Sequence, residues 1–363
     1  MKEIIDVEHC TGCGTCINVC PKDAISVKID SEGFEFPYID QKKCIDCGLC
    51  MKKCPSLLEK SKSGDSKHKA YAARIVDETA RWRSSSGGIF YALAQQIIEE
   101  SGVVVGAAYN EKFEVVYRIV DTEKGLPSLQ GSKYLQCKID NKTFKQIREY
   151  LQNGRKVLFS GLACQVEGLH SYLGKDYDNL FCCDLICMGI PSAIVWRKYL
   201  RLNYDHDKIT AINFKEKSAG WSRFHLAVTT LNGEIKERGI NNSYFKSMFK
   251  TYNMRRSCFV CPFKKMERMA DITLGDCWGA VRLVPEMNDE KGLSSVVIHS
   301  AKGEMLWLKL VNKVYSKEIP VEEVIKGNPN MIENKTCNWK GRRIFYFLLR
   351  YISAKFAFAY AAR

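Results

Sequence analysis

The chain has 363 residues, 46% of them hydrophobic and 26% charged, proportions that exclude a disordered or fibrous protein and allow one large core plus a small appended module. Its 55 Lys and Arg against 41 Asp and Glu give a formal charge of +14, which suits an acidic redox partner or an anionic membrane surface; no nucleic-acid recognition module accompanies the charge, so nucleic acid is not expected as a partner. No secretory signal pattern opens the sequence and no run of about 18 apolar residues occurs, so a cytoplasmic protein is expected, in which 17 cysteines read as metal ligands rather than disulfides.

The first element is a doubled run, CTGCGTCINVCP with Cys10, Cys13, Cys16 and Cys20, and CIDCGLCMKKCP with Cys44, Cys47, Cys50 and Cys54. In each, three cysteines at CxxCxxC spacing wrap one iron-sulfur cubane, and the fourth, turned by the proline that follows, reaches the neighbouring cluster. Cys10, Cys13, Cys16 and Cys54 are therefore expected on one 4Fe-4S centre, and Cys44, Cys47, Cys50 and Cys20 on the other. Gly12, Gly14 and Gly48 let backbone N–H groups approach the sulfides. A zinc site is the weaker alternative, since zinc more often takes two CxxC pairs. The run resembles a bacterial two-cluster ferredoxin over residues 1–58, an α+β module.

A polar stretch follows, with a linker expected over 59–70. Next, SSSGG (Ser84 to Gly88) precedes an apolar pattern with helical spacing from Ile89, and SGVVVGAAY supplies a Val-rich strand. A Ser/Gly loop opening a helix is an anion site in principle; an ordinary N-cap is the plainer reading. KVLFSGLACQVEGLHSYL and NLFCCDLICMGIPSAIVWRKYL both read as strand, turn and helix, with Cys164 and Cys187 in the turns, at the strand ends where open α/β sheets bind ligands. His170, on the first of these helices, reads as a surface position. Farther on, FKEKSAGWSRFH, with Lys217, Trp221 and Arg223, mixes cations and aromatics suited to contact with a flavin ring or an anionic substrate, a loop joining strands being the plainer reading. RRSCFVCPF then brings a lone CxxC, Cys258 and Cys261, open to a zinc, disulfide or cluster reading. With Cys164 and Cys187 it makes a four-cysteine set suited to a third 4Fe-4S cluster. Cys277, in DITLGDCWG, competes for a place in that set and ranks below the CxxC pair; Cys182 and Cys183 read as packed thiols.

The combination SSSGG, QGSKY, GLACQVEGL, CMGIPS, RRSCFVCPF and DITLGDCWG resembles the beta subunit of coenzyme F420-reducing hydrogenases and dehydrogenases, over residues 1 to about 330. The resemblance implies a larger α/β flavin-binding domain over 71–335, one bound FAD, and a third cluster on Cys164, Cys187, Cys258 and Cys261. It implies flavin contacts at Ser86, Gly87 and Gly88 and at Gly131, Ser132, Lys133 and Tyr134. The chain departs from the family with Ala163 where a proline, and Met188 where a histidine, is expected, a departure that bears on the family's substrate and leaves cysteine ligation in place as an expectation.

No GxGxxG follows a strand and no P-loop occurs, so any dinucleotide is held another way. Clusters move single electrons while most metabolites change by two, and a flavin is the common converter. The expected activity is an iron-sulfur flavoprotein oxidoreductase, passing electrons from a low-potential donor or acceptor protein through the clusters to FAD and on to a small organic substrate or deazaflavin-type coenzyme. The alternative is a noncatalytic electron-transfer subunit of a larger oxidoreductase. No catalytic acid or base is legible. The basic, aromatic stretch 336–363 is expected as a C-terminal helix that packs on the body, and it is the one candidate for peripheral contact with the inner face of a membrane.

Overall fold

The structure is a computed structural model describing residues 4–58, 68–205 and 208–363; most of the expected linker, residues 59–67, lies outside the described residues. The cysteine-rich segment folds as two short helices, α1 (Thr15–Val19) and α2 (Leu49–Lys52), beside a hairpin of β1 (Ile25–Ile29) and β2 (Glu35–Ile39). Each helix starts on a left-handed glycine, Gly14 at φ 84° and Gly48 at φ 69°, a conformation that turns the chain sharply just after a ligand cysteine. A small apolar core of Ile4, Ile17, Ile25 and Ile39 backs the cysteines.

The body is built on an eight-stranded sheet. Its elements in chain order are β3 (Lys69–Ile75), α3 (Glu78–Arg83), α4 (Ile89–Glu99), β4 (Val103–Tyr109), β5 (Val115–Val120), α5 (Thr143–Gln152), β6 (Val157–Leu162), α6 (Ala163–Leu173), β7 (Leu180–Leu185) and α7 (Ala193–Asn203). A separate antiparallel sheet of β8 (Ile209–Glu216), β9 (His225–Thr230) and β10 (Gly233–Arg238) follows, then α8 (Ser243–Phe249). The chain returns with β11 (Ile272–Asp276), α9 (Ala280–Leu283), β12 (Ser294–Ile298), α10 (Ala301–Leu308), β13 (Val314–Glu318) and α11 (Val321–Gly327), and closes with α12 (Trp339–Phe347) and α13 (Ala354–Ala362).

The large sheet runs β13-β3-β12-β11-β7-β6-β4-β5. Only β4, β6, β7 and β11 are parallel; β12, β3 and β13 on one side and β5 on the other are antiparallel. The sheet is thus mixed where an α/β domain was expected, and the antiparallel sheet of β8 to β10 was not anticipated. Charged residues interrupt the apolar alternation along those strands, which hides it. The C-terminal stretch is two helices rather than one: a single π turn, Leu348–Ile352, ends α12, and Ser353 caps α13 by accepting from the Phe356 N–H.

The ferredoxin module is locked to the body by two buried arginines. Arg255 donates to the carbonyls of Cys10 (2.7 Å) and Glu35 (3.0 Å). Arg342, from α12, donates to the carbonyls of Tyr252 and Met254 and to the Glu32 carboxylate, while Ser192 Oγ donates to the Glu32 carbonyl at 2.5 Å. Gly33, at φ 91°, allows this approach, since a Cβ there would lie 2.5 Å from Ile194 Cβ. Burial pushes the Glu32 carboxyl up, but Arg342 and Arg256 outweigh it and hold it below its ordinary 4.5. Its contribution to docking is therefore complete above that pH and fades as pH falls through the depressed value. Replacing Arg342 with Met should cost about 3–5 kcal/mol by stranding the Glu32 charge, whereas the double change Glu32→Leu, Arg342→Met should cost much less; thermal unfolding of the three proteins checks this.

Candidate iron-sulfur and flavin sites

The cysteines of the doubled run sort into the two sets that the spacing calls for. Cys20, Cys44, Cys47 and Cys50 line one cavity of about 80 Å³, so the fourth cysteine of the first run stands with three from the second. On the other side, burial first, and then Cys13, Cys10, Cys54 and lastly Cys50 of the neighbouring set, push the Cys16 thiol well up. Cys47 is exposed while Cys10 and Cys54 are buried, so the second set faces outward and the first faces the body.

In the body, strand register explains how two distant cysteines meet. Leu162 of β6 pairs with Leu185 of β7, and Leu185 pairs with Leu274 of β11. Two residues past each member of that row come Cys164 and Cys187, beyond the ends of β6 and β7, and Asp276, the last residue of β11. Cys258 arrives from a turn of 3₁₀ helix, Arg256–Phe259, and its Sγ accepts from the Ile190 N–H at 3.3 Å. Gly189 permits that closeness, because a side chain there would meet Met254 Sδ at 2.7 Å. One cavity is lined by Cys164, Cys187, Cys258 and Cys261 together, with Thr11, Lys264 and Arg268 on its wall. Cys277 is elsewhere, packed among Ala70, Ala280 and Val297, and Cys182 and Cys183 lie in separate cores.

Burial pushes Cys258 up to about 11 and Cys187 up to about 12, so as bare thiols they are neutral and ligation would release their protons. Among the described residues no three His, Cys, Asp or Glu donors stand close enough for a single metal ion, at these cysteines or at the paired runs. The thiolates around a four-iron cubane stand farther apart than the ligands of one ion. A second observation fits sulfur-bearing clusters: Thr11 Oγ1, Gln136 Nε2, Tyr117 OH and Ser257 Oγ are all buried without a hydrogen-bond partner. Thr11 and Ser257 line the four-cysteine cavity, and Tyr117 lines a small one with Cys13 and Cys137. Buried donors of this kind are costly unless an acceptor such as a cluster sulfur is present.

The two loops expected at the flavin do converge. The Ser132 N–H donates to Ser85 Oγ at 2.6 Å, and Gln130 Nε2 donates to Ser84 Oγ at 3.0 Å. Gly88, at φ 84°, opens the 11-residue α4 with no side-chain cap, leaving its first N–H groups free for an anion. Gly131, at φ 81°, has open space where a Cβ would stand. Gly87 has a packing cause, since a Cβ there would lie 2.3 Å from the Ala73 carbonyl oxygen, and Ser86 Oγ donates to the Leu293 carbonyl. Lys133 turns its ammonium onto the carbonyls of Gln130 (2.9 Å) and Gly131 (3.1 Å), and burial lowers it to about 8. Tyr134 packs edge-on against Phe214 and Phe245, and burial first of all pushes its hydroxyl up.

Sequence reasoning missed several neighbours. Lys215 pairs with Asp276 at 2.6 Å beneath the stacked rings of Trp221 and Trp278, 5.0 Å apart. Lys217, expected in a connecting loop, is buried and donates to the carbonyls of Arg81 and Lys291. His170 is half-buried with Nε2 3.5 Å from Cys182 Sγ, not at the surface. Tyr117 and Thr11 carry no motif that would have flagged them.

These features define an iron-sulfur protein in which a dicluster module is joined to a mixed-sheet body. Residues 9–57 and 36–86 match 4Fe-4S dicluster domains, and residues 154–324 match the family described as the C terminus of the coenzyme F420 hydrogenase/dehydrogenase beta subunit. The chain is similar to a coenzyme F420-dependent sulfite reductase of Methanocaldococcus jannaschii, 25% identical over 343 residues that cover 90% of this chain and 49% of that protein. It thus spans about half the length of that curated relative. It is also similar to a chain of the F420-reducing [NiFe] hydrogenase complex of Methanosarcina barkeri, at 18% identity over 80% of this chain and 89% of that one, with a TM-score of 0.48.

Hydrogen bonds to cluster sulfurs raise reduction potential. Tyr117→Phe should therefore shift the midpoint of the ferredoxin cluster nearest Cys13 to a more negative value at unchanged iron content, read by EPR-monitored titration; an unmoved midpoint would mean the hydroxyl serves no cluster.

Proposed function

We propose that the chain is an oxidoreductase subunit in which electrons from a low-potential protein partner enter at the exposed Cys20, Cys44, Cys47, Cys50 centre. They pass to the Cys10, Cys13, Cys16, Cys54 centre, then to a third 4Fe-4S cluster held by Cys164, Cys187, Cys258 and Cys261, and from there to FAD. A bound FAD would supply the change from single electrons to an electron pair, which with a proton amounts to a hydride for a small organic substrate or deazaflavin-type coenzyme. The single observation carrying this reading is the convergence of four cysteines from three separate segments on one cavity beside the ferredoxin.

The spacing supports the order. A Cβ at Gly168, one turn past Cys164 on α6, would lie 3.0 Å from Cys13 Cβ, and Thr15 Oγ1 donates to the Gly168 carbonyl at 2.9 Å. Thr11, flanked by Cys10, lines the third-cluster cavity itself. In the paired Ser/Gly loops, Ser86, Gly88, Gly131, Ser132 and Lys133 would hold the FAD pyrophosphate; Gly87 would serve by keeping its loop flat on the sheet. Lys215, Lys217 and Asp276 border this region and would set the charge around the flavin.

A second reading, a noncatalytic electron-transfer subunit, is favoured by one observation: the sulfite reductase relative is about twice as long, so its chemistry need not reside in the part this chain matches.

Anaerobically purified protein should carry about twelve irons and one flavin per chain, and the Cys258→Ser, Cys261→Ser double variant about eight irons. About eight in both would remove the third cluster. Lys133→Met should lower flavin content several-fold and leave iron unchanged; equal flavin in both proteins would move the binding site elsewhere. Flavin that is bound yet unreactive toward every small-molecule acceptor until a partner protein is added would favour the second reading.

A further inference from the structure

The closing helices have two distinct faces. The inner face, with Phe345, Tyr346, Leu349, Ala357, Phe358 and Ala361, is buried in one core with Trp196, Tyr199 and Tyr244. The outer face carries Trp339, Arg343, Phe347 and Tyr351 at four-residue intervals, a helical stripe. An ideal α-helix lets such a stripe drift around its axis, and the wider π turn at Leu348–Ile352 cancels part of the drift, keeping the Phe347 and Tyr351 rings 5.5 Å apart. Beyond the turn the stripe continues through Ile352 and Phe356. Exposure is large for apolar residues: 55% for Phe347, 71% for Tyr351, 56% for Ile352 and 59% for Phe356.

The charge on this face has one sign. From Asn334 to Arg363 the chain has seven Lys and Arg and no Asp or Glu. Arg342 is turned inward to Glu32, while Lys340, Arg343, Arg350 and Lys355 lie exposed among the aromatic rings.

We infer that this outer face docks on an anionic bilayer surface. Aromatic rings flanked by Lys and Arg suit the boundary between headgroups and acyl chains, where rings enter the apolar layer and the long cations stay at the phosphates. An acidic cytoplasmic leaflet supplies the opposite charge. Among the described residues no helix is long and apolar enough to cross a membrane, so the contact is one of lying on the surface. Because the inner face is anchored in the core, docking needs no unfolding of the tail. It does not depend on how many cofactors the body holds. It would fix the whole chain at the membrane with the third-cluster loop close by, since Trp339 packs on Phe259 at 5.7 Å.

The test is co-sedimentation of the full, cluster-loaded chain with phosphatidylcholine vesicles, with and without phosphatidylglycerol, at low and high salt. The protein should pellet with the anionic vesicles only, and high salt should release most of it. Phe347→Ser with Tyr351→Ser, and separately Arg343→Glu with Arg350→Glu, should each weaken retention about ten-fold at unchanged iron content. All four side chains project outward, so either pair reports even if the other disturbs folding. Equal partition with neutral and anionic vesicles, retention that survives both double changes, or a vesicle-indifferent protein that self-associates through these residues in sedimentation velocity would overturn the inference.

Discussion

Everything in the site depends on two guanidinium groups removed from water. Arg255 and Arg342 are 0% and 2% exposed, and between them they bond Cys10, Glu32 and Glu35 of the ferredoxin to the loop that ends in Cys258. A buried cation is tolerable only when its donors are satisfied, and here carbonyls of the two modules supply most of the acceptors. The two modules therefore cannot slide past each other without stranding charge. Electron transfer between clusters falls steeply with distance, so a rigid seam is a functional requirement as well as a stabilising one.

The seam also explains why the third set of cysteines forms where it does. Parallel pairing of β6, β7 and β11 sets three strand ends level, and two of them deliver Cys164 and Cys187. The third delivers Asp276, which pairs with Lys215 and closes that side of the site with Trp278. The CxxC pair completes the ring only because Arg255, three residues before Cys258, is pulled against the ferredoxin. The docking arginine and the CxxC pair thus belong to one short segment, and a change that loosened the dock would also move Cys258.

Much of this was legible in the residues because ligands impose spacing on sequence. The paired CxxCxxCxxxCP runs declare their own geometry, and the two strand-turn-helix segments announce Cys164 and Cys187 through apolar runs that stop at a turn. What stayed hidden was long-range. Arg255 and Arg342 look like surface cations until the fold shows their acceptors 220 or more residues away, as with Glu35 and Glu32. The antiparallel sheet of β8 to β10 was obscured by its charged exposed strand, and the mixed character of the main sheet depends on pairing partners that no local pattern encodes. Tyr117 and Thr11 matter through position alone.

The same reasoning bears on the charge of the whole chain. The formal +14 would ordinarily be read as a surface property, yet several of the cations are interior. Arg81, Arg255 and Arg342 are buried, and Lys215 and Lys217 are nearly so. Arg81 pairs with Asp289, Arg342 with Glu32 and Lys215 with Asp276, while Arg255 and Lys217 donate to backbone carbonyls. Iron-sulfur clusters bring negative charge, and a flavin pyrophosphate brings more. A chain built to hold such groups must supply positive charge inside, where the dielectric is low and each cation counts most. Three of these five interior cations already meet a carboxylate within the fold, which leaves Arg255 and Lys217 as the interior cations bonded mainly to carbonyls, and the cations of the C-terminal helices are surface charge in the full sense.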